Sequence, residues 1–386
     1  MNNIKYAKFK INRNSLLFKF LLFIPFVGIL SNNLPSILPY FVILLFMFSL
    51  LLFKIKNNQM NKTILPFLTL MILSIFFSFM YQQIEYSYDN IYYIQFFGSQ
   101  LFFFFVFVFF ANIKNFINTY IGSFFKYMII IIFLSVIIDT ILLNNGLLTS
   151  QLMYKPGATS YNGKPLGIFG QFSVNSAYIV CFYLLLKGYT NHKNNYILFI
   201  MVTITIILQD SGTGYIAYLL LLITLFYKNN IVKYILFPIL FVLVGLIIYN
   251  NLIAKVSYDY LLYLYQYFEN LITVVYIDNI YSSNDVLFGI NENYNFPIDF
   301  GPLFLIAKVG LLYFILYSIA IFYLVYKSHN NYIRMAILIL ILSNIHYPVL
   351  FYPIMNILLP ILMIYALNYN TPRIKTKNKR TLQCQR

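Results

Sequence analysis

Charged residues are scarce in this sequence of 386 residues. Asp, Glu, Lys and Arg make up 9% of it and apolar residues 61%, whereas soluble domains hold about 25% charged and about 45–50% apolar residues. A water-soluble chain of this composition could not cover its own surface with polar groups. The composition therefore excludes a soluble enzyme and a disordered tail.

Cysteine is nearly absent as well. The two cysteines, Cys181 in an apolar run and Cys384 in a basic segment, are not placed to pair with each other. Neither a disulfide framework nor a zinc-ligand spacing is present, which excludes a secreted disulfide scaffold.

Negative charge is the third shortage. The chain has 10 acidic residues against 26 Lys and Arg, which gives a formal net charge of +16. Such an excess is typical of two classes, a nucleic-acid-binding protein or a membrane protein with basic cytoplasmic loops. The positions of the charges decide between them.

Long apolar runs are abundant. A membrane-spanning helix needs about 20 mostly apolar residues, because each residue advances the helix by about 1.5 Å across roughly 30 Å of hydrocarbon. The first run is not followed by a cleavage site of small residues, so we interpret it as a retained helix rather than a signal peptide. The runs between polar breaks predict twelve spans, at about 16–32, 35–53, 63–81, 91–111, 127–144, 173–187, 196–209, 214–227, 234–251, 301–326, 333–350 and 353–368.

The charges sort by side when the N-terminus is placed in the cytoplasm. The Lys and Arg residues then fall on the cytoplasmic side, with no acidic residue among them, except for Lys155, Lys164, Lys255 and Lys308. The acidic residues fall outside or, for Asp139, near the outer end of a span. Because Lys and Arg bias sets topology, we expect both termini in the cytoplasm and no nucleic-acid partner.

The predicted fold is therefore an all-α, polytopic integral membrane protein of the cytoplasmic (inner) membrane, with 1–386 as a single domain. Its larger outer loops are about 145–172 and 252–300, and 369–386 is a basic cytoplasmic tail. Residues 253–275 form an amphipathic pattern that we place in the outer interface, because a further span there would move the C-terminal Lys and Arg cluster outside. We expect the chemistry on the outer face.

The first outer loop carries two lysines among glycines and prolines. Lys155 is followed by Pro-Gly, and Lys164 lies in the segment 163–170, Gly-Lys-Pro-Leu-Gly-Ile-Phe-Gly. Two cations beside Gly, which permits close backbone approach, are able to bind a phosphate group. The alternative is a solvated loop that its lysines keep out of the bilayer.

A second motif, Asp210-Ser-Gly-Thr-Gly214, is a sharp outer turn in which Asp210 either binds substrate or caps the next helix.

Ionisable residues around the tenth span form the third motif. Asp299 precedes that span, with Glu292 nearby as a second carboxylate, and Lys308 lies inside it. A Lys in mid-membrane costs about 2.5–3.5 kcal/mol, so Lys308 is a functional candidate unless it snorkels to the surface. Asp139 is its candidate counter-charge, and Asp299 has the alternative role of a helix cap. His346, at the outer turn of the last hairpin, is more typical of an interfacial hydrogen-bonding residue than of a catalyst.

Nucleotide-binding and metal-binding motifs are missing from the sequence. It contains no Walker loop, no GxGxxG fingerprint, no metal-ligand cluster and no Ser-His-Asp order. We therefore expect neither a metal nor a cofactor.

The succession of these motifs resembles the bacterial O-antigen and capsule polymerase family (Wzy-type), whose fold is shared with the O-antigen ligases. The resemblance covers about residues 60–368. The segment 167–178, with Gly-x-Phe-Gly and an Asn that leads into a helix, looks like the family's outer-loop-to-helix element, and 210–214 looks like its Ser-rich turn. Where the ligases carry a His ahead of a Gly-containing helix, this chain has Asp299 ahead of Gly310, which is closer to a polymerase.

The resemblance implies a metal-independent glycosyl transfer on the outer face of the membrane. The growing glycan moves from its undecaprenyl diphosphate carrier onto a newly flipped, lipid-linked repeat unit. The acceptor hydroxyl needs a base, for which Asp299 or Glu292 is expected to serve. The family usually carries Arg in the loop and the turn, whereas this chain has Lys, which lacks the bidentate fork of Arg. The residues expected to bind the diphosphate or the glycan are Lys155, Lys164, Lys308, Asp210, Asp139 and His346.

The implied partners are the undecaprenyl-diphosphate-linked glycan, the lipid bilayer, a flippase and a chain-length regulator. Two alternatives stay open. An O-antigen ligase differs in its acceptor, lipid A core, and a flippase or transporter of lipid-linked sugars binds substrate near the membrane midplane. A purely structural protein would leave Lys308 and Asp139 unexplained.

Overall fold

The structure is a computed structural model that describes residues 64–86, 114–146, 163–189, 195–226, 283–290, 300–328, 330–346, 348–351 and 354–368, with isolated positions between 262 and 269. Within these ranges the chain forms α-helices and a short 3₁₀ helix, Val349–Phe351, and no strand. The predicted all-α fold is confirmed for this part of the chain. The α-helices are α1 (Ile64–Tyr86), α2 (Lys114–Asn144), α3 (Phe172–Tyr189), α4 (Tyr196–Gln209), α5 (Gly212–Phe226), α6 (Ser283–Phe288), α7 (Gly301–Val309), α8 (Leu311–Lys327), α9 (Asn331–His346) and α10 (Met355–Asn368).

The predicted spans that the structure describes fall on these helices. α4 has the predicted bounds, whereas α2 begins at Lys114, well before the predicted start at 127. A polar residue such as Lys126 ends an apolar run, but a helix ends only at a cap or a backbone that leaves the helical conformation. Outside the described residues lie the predicted spans 16–32, 35–53, 91–111 and 234–251, the tail 369–386 and nearly all of 253–275.

The continuous helix predicted over 301–326 is wrong. α7 ends at Val309 and α8 begins at Leu311, because Gly310 adopts φ 93° and ψ 164°, outside the helical region. α9 likewise ends at His346, short of the predicted 350, and is followed by a 3₁₀ helix. Pro348 accounts for this end, since proline cannot donate to a preceding helical turn.

α3 forms the centre of the bundle. Each residue from 173 to 188 is buried, and the helix packs against α2, α4, α5 and α9. A helix that is buried on all sides needs other elements to cover it completely and partners for its buried polar groups. The Tyr178 hydroxyl within it donates to the carbonyl oxygen of Val349 at 2.6 Å.

The helix ends that the charge bias places outside meet at one end of the bundle. The C-terminal part of α2 contacts the segment before α3, where the Gly167 N–H donates to Asp139 Oδ2 at 2.7 Å. The start of α3 contacts the α4–α5 turn, where the hydroxyl oxygens of Ser173 and Ser211 are 3.0 Å apart. We call this the loop end of the bundle.

The helix ends predicted to be cytoplasmic meet at the opposite end. Asn330, before α9, donates from Nδ2 to the carbonyl oxygen of Gly188 at 2.9 Å. Gly122, in the first half of α2, lies against Tyr189, since a Cβ on Gly122 would stand 3.0 Å from its ring. The order of contacts at the two ends agrees with helices that alternate in direction.

The outward faces of several helices are apolar. On α4, the residues Tyr196, Ile197, Ile200, Ile204 and Ile207 are 37–72% exposed, whereas the polar Thr205 and Gln209 are fully buried. α8 repeats the pattern with exposed Leu312, Ile315, Ile319 and Phe322. This arrangement is the reverse of a helix on a water-exposed surface.

Length and composition single out one membrane-span candidate among the described residues. It is Tyr120–Asn144 of α2, 25 residues long, with a mean hydropathy of 2.4 across an 18-residue window. The helices α4, α5, α8 and α9 are apolar but shorter, at 10–17 residues.

Candidate functional site

The segment 163–171 is docked onto α2 and α3 by buried polar contacts. Asp139, 2% exposed, accepts from the Gly167 N–H. The N–H of the following residue, Ile168, donates to the Ser135 hydroxyl at 3.0 Å. Because Asp139 and Ser135 are four residues apart, they present both acceptors from one face of α2.

Asn175 fastens the same segment from α3. Its Nδ2 donates to the carbonyl oxygens of Leu166 at 2.5 Å and Gln171 at 2.7 Å. Gly167, at φ 64°, packs so closely that an added Cβ would lie 2.8 Å from the Asn175 side chain. The Gly and the Asn of the motif are therefore explained by a tight turn and its anchor.

The α4–α5 turn is packed against the start of α3. Asp210 ends α4 in the left-handed conformation, at φ 41°, which Asp tolerates better than most residues. A Cβ on Gly214 would lie 2.8 Å from the Ser176 side chain, so this Gly permits the contact between α3 and α5. The Ser176 hydroxyl donates to Gln209 Oε1 at 2.7 Å, and within the described chain Gln209 Nε2 has no hydrogen-bond partner.

Lys164 and Asp210 form an ion pair that joins the two motifs. Lys164 Nζ lies 3.0 Å from Asp210 Oδ2 and also donates to the Asp210 carbonyl oxygen. The Tyr215 hydroxyl donates to Asp210 Oδ1 at 2.9 Å, and the ammonium lies 5.6 Å from the centre of the Phe172 ring. The two charged side chains are 27% and 48% exposed, so this group faces the outside of the bundle.

A second polar site surrounds Gly310. Part of the predicted outer loop, 283–290, packs against the junction of α7 and α8, where the Ile290 N–H donates to the Ala307 carbonyl oxygen at 2.9 Å. With about 1.5 Å per residue, the nine residues of α7 place Gly310 about 13 Å along the helix axis from the start of α7. This part of the loop therefore reaches into the bundle.

Two residues of α1 satisfy the backbone at this helix break. The Ser78 hydroxyl contacts the carbonyl oxygens of Val309, at 2.8 Å, and Phe288. Gln82 Nε2 donates to the carbonyl oxygens of Phe288 at 2.6 Å and Lys308 at 3.1 Å. A backbone that leaves the helix inside an apolar environment needs such partners, which makes the break a built feature of the fold.

Asp285 is a buried acid that sequence reasoning missed. It is 3% exposed and accepts from the Tyr81 hydroxyl at 2.7 Å. Ser78 and Gln82 were missed as well, although two polar residues four apart in an apolar run are a readable sign of a contact face. Asp285 carried no such sign, because it lies in a loop rich in polar residues.

The described site residues predicted from the sequence lie in three places. Lys164, Asp210 and Asp139 lie within the connected contacts at the loop end. Lys308 lies at the helix break, and the structure gives Asp139 the Gly167 N–H as a partner, so its pairing with Lys308 stays a prediction. His346 is exposed at the end of α9, and the neighbouring Asn344, which accepts from the Leu350 N–H at 3.1 Å, makes the structural contact there. Lys155, Glu292 and Asp299 lie outside the described residues.

The described residues contain no group of three His, Cys, Asp or Glu side chains arranged to hold a metal ion. Among the described residues, the loop end offers the ammonium of Lys164, the carboxylates of Asp139 and Asp210, the phenol of Tyr215 and several hydroxyls, which are suited to binding phosphate and sugar hydroxyls. No protein-family model, curated protein or solved structure matches the chain.

Proposed function

We propose that the chain is a twelve-span protein of the cytoplasmic membrane with both termini in the cytoplasm. The exposed apolar faces of α4 and α8 support this, since soluble monomers rarely leave such surfaces in water. The grouping of helix ends supports it further, because the ends assigned to the outer side by charge bias lie together at the loop end.

We propose that this protein polymerises undecaprenyl-diphosphate-linked oligosaccharide repeat units on the outer face of the membrane, for O-antigen or capsular polysaccharide. The observation that carries the proposal is the ion pair between Lys164 and Asp210. It brings together the two described motifs on which the resemblance to the polymerases depends. It also lies at the end of the bundle that the charge bias places outside.

The proposed reaction is a glycosyl transfer. A hydroxyl oxygen of the acceptor repeat bonds to the anomeric carbon of the donor glycan, and the bond from that carbon to the diphosphate oxygen breaks. The hydroxyl proton passes to the carboxylate of Asp299 or Glu292. Lys164, together with Lys155 and Lys308, stabilises the negative charge that develops on the departing undecaprenyl diphosphate.

The test is deletion of the gene followed by electrophoresis of the surface glycan. Deletion is expected to leave single capped repeats and no polymer. The wild-type gene and Glu85→Gln, a change at an exposed position at the end of α1, are expected to restore the polymer, and Asp299→Asn is not. A deletion strain with intact polymer would refute the function, whereas normal chain length with Asp299→Asn would remove only that residue's role as the base.

The same experiment separates a polymerase from an O-antigen ligase. Loss of a ligase leaves finished polymer on its lipid carrier and removes polymer from lipid A core. Long glycan chains are therefore absent after loss of a polymerase and present on the lipid carrier after loss of a ligase.

A flippase or transporter of lipid-linked sugars is the second candidate, and the helix break at Gly310 favours it. Transporters bind substrate at discontinuous helices near the midplane, and α7 and α8 form such a helix. Purified protein supplied with a lipid-linked repeat distinguishes the two, because a polymerase forms longer glycans without any second compartment.

A further inference from the structure

Lys164 is already paired in the resting protein. Its ammonium contacts Asp210 twice, through the carboxylate at 3.0 Å and through the backbone carbonyl. Both side chains are partly exposed, so solvent and a ligand can reach them. The Asp210 carboxylate therefore occupies the position beside Lys164 that a bound anion would take.

The turn holds Asp210 in this position. Its own N–H closes the last turn of α4 on the carbonyl oxygen of Ile206 at 3.1 Å, and the Tyr215 hydroxyl donates to Oδ1. With Oδ1 occupied by the phenol, Oδ2 is the atom that faces Lys164. The backbone of the turn and the Tyr215 hydroxyl therefore set the position of the Asp210 carboxylate, so the ion pair does not depend on a chance contact between flexible side chains.

We propose that Asp210 is a specificity-determining residue that occupies Lys164 and is displaced when a diphosphate binds. This inference rests on the proposed function, in which Lys164 binds the diphosphate of the lipid-linked donor. A carboxylate and a diphosphate compete for one ammonium. A diphosphate, with its higher charge and several acceptor oxygens, displaces the carboxylate where a singly charged anion does not.

The size of the effect follows from the exposure of the pair. Loss of a partly exposed ion pair changes the affinity of a competing anion by up to about five-fold. Removal of a negative charge beside the bound anion strengthens its binding further. Loss of the Asp210 charge is therefore expected to tighten diphosphate binding by about three- to ten-fold.

The chain offers matched variants. Asp210→Asn removes the charge but keeps the turn, because Asn tolerates the left-handed conformation and retains an acceptor for Tyr215. Glu85→Gln removes one negative charge from the same predicted side of the membrane, on α1, which packs against α6, α7 and α8. Lys164→Gln removes the cation.

The experiment is calorimetric titration of the full chain in nanodiscs of uncharged lipid with inorganic pyrophosphate, at low salt and without divalent cations. Asp210→Asn is expected to bind about three- to ten-fold more tightly than wild type, Glu85→Gln within two-fold of wild type, and Lys164→Gln at least ten-fold more weakly. Thermal unfolding of each variant shows that it is folded.

The outcomes separate the inference from the proposal on which it rests. If Asp210→Asn binds no more tightly than wild type, if Glu85→Gln gains as much, or if neither wild type nor Asp210→Asn binds, Asp210 does not compete for Lys164. If Lys164→Gln binds like wild type, Lys164 is not a diphosphate ligand and that part of the proposed function is wrong as well. The surface-glycan test of the deletion strain is independent of both results.

Discussion

Replacement of Gly310 by Ala tests whether the break between α7 and α8 is required by the fold. Gly310 adopts φ 93° and ψ 164°, a region that is essentially restricted to glycine. An added Cβ would also overlap the backbone of Leu287 and Phe288. Because backbone atoms and not flexible side chains stand in the way, the segment 283–290 has to move.

The expected cost has two parts. The backbone conformation contributes about 1–3 kcal/mol. Movement of the segment breaks the hydrogen bonds from the Ile290 N–H to Ala307, at 2.9 Å, and from Gln82 to Phe288, at 2.6 Å. Each of these two buried groups left without a partner costs about 1–3 kcal/mol, so the total is about 3–9 kcal/mol.

The assay is thermal unfolding of the purified full chain in detergent, with hydrogen exchange of the segment 283–290 as a local measure. At about 1.2 °C per kcal/mol for a chain of this length, Gly310→Ala is expected to lower the unfolding midpoint by about 4–11 °C and to speed exchange in that segment. Gly212→Ala is the control, since no atom lies within 4 Å of its added Cβ. Equal midpoints and equal exchange for the two variants would refute the reasoning.

Two further predictions concern the bundle surface and the loop end. Ile200→Lys, at a 54% exposed position on α4, is expected to cost about 2.5–3.5 kcal/mol and to lower the yield of membrane-inserted protein if a bilayer covers this face. Tyr196→Lys, at the helix end, is expected to be tolerated by snorkelling, and equal yields of the two variants contradict a membrane position. Asp139→Ala is expected to lower stability by about 1–3 kcal/mol in thermal unfolding, because the Gly167 N–H loses its acceptor. Asp139→Asn, which keeps an acceptor, is expected to lose much less, and a wild-type midpoint for Asp139→Ala would contradict the role of this contact.

The helices were predictable because the apolar residues that form each run are also the residues that form the helix. In apolar surroundings a chain must satisfy its backbone internally, so an apolar run of sufficient length becomes a helix. α4 follows this rule to its predicted bounds, since Asn195 caps one end and the turn at Asp210 ends the other.

The helix break could not be predicted in this way. Hydropathy adds contributions from neighbouring residues, whereas the conformation of Gly310 depends on contacts from distant parts of the chain. Ser78, which satisfies the Val309 carbonyl oxygen, is 231 residues away in sequence. A single Gly in an apolar run is also compatible with a continuous helix.

The candidate site was predictable as a set of residues but not as an arrangement. Lys164 and Asp210 were identified separately, from a Gly-rich loop and from a turn, and their pairing over 46 residues depends on how that loop docks on α2 and α3. Asp139 was expected to neutralise Lys308 because both lie in predicted spans. The structure shows the Gly167 N–H among the partners of Asp139, a donor that every residue but proline carries and that sequence therefore does not mark, and the pairing with Lys308 stays a prediction.

The pairing of Lys164 has a consequence for turnover under the proposed function. When the glycan leaves, the undecaprenyl diphosphate product carries one more negative charge than the donor and binds any fixed cation more tightly. A cation without a competitor would retain this product and slow its release. Asp210, held 3.0 Å from Lys164 by the turn and by Tyr215, returns to the ammonium as the product departs. The cost of displacing the carboxylate is the same for donor, transition state and product, so Asp210 is expected to speed product release and to leave the barrier of the chemical step unchanged.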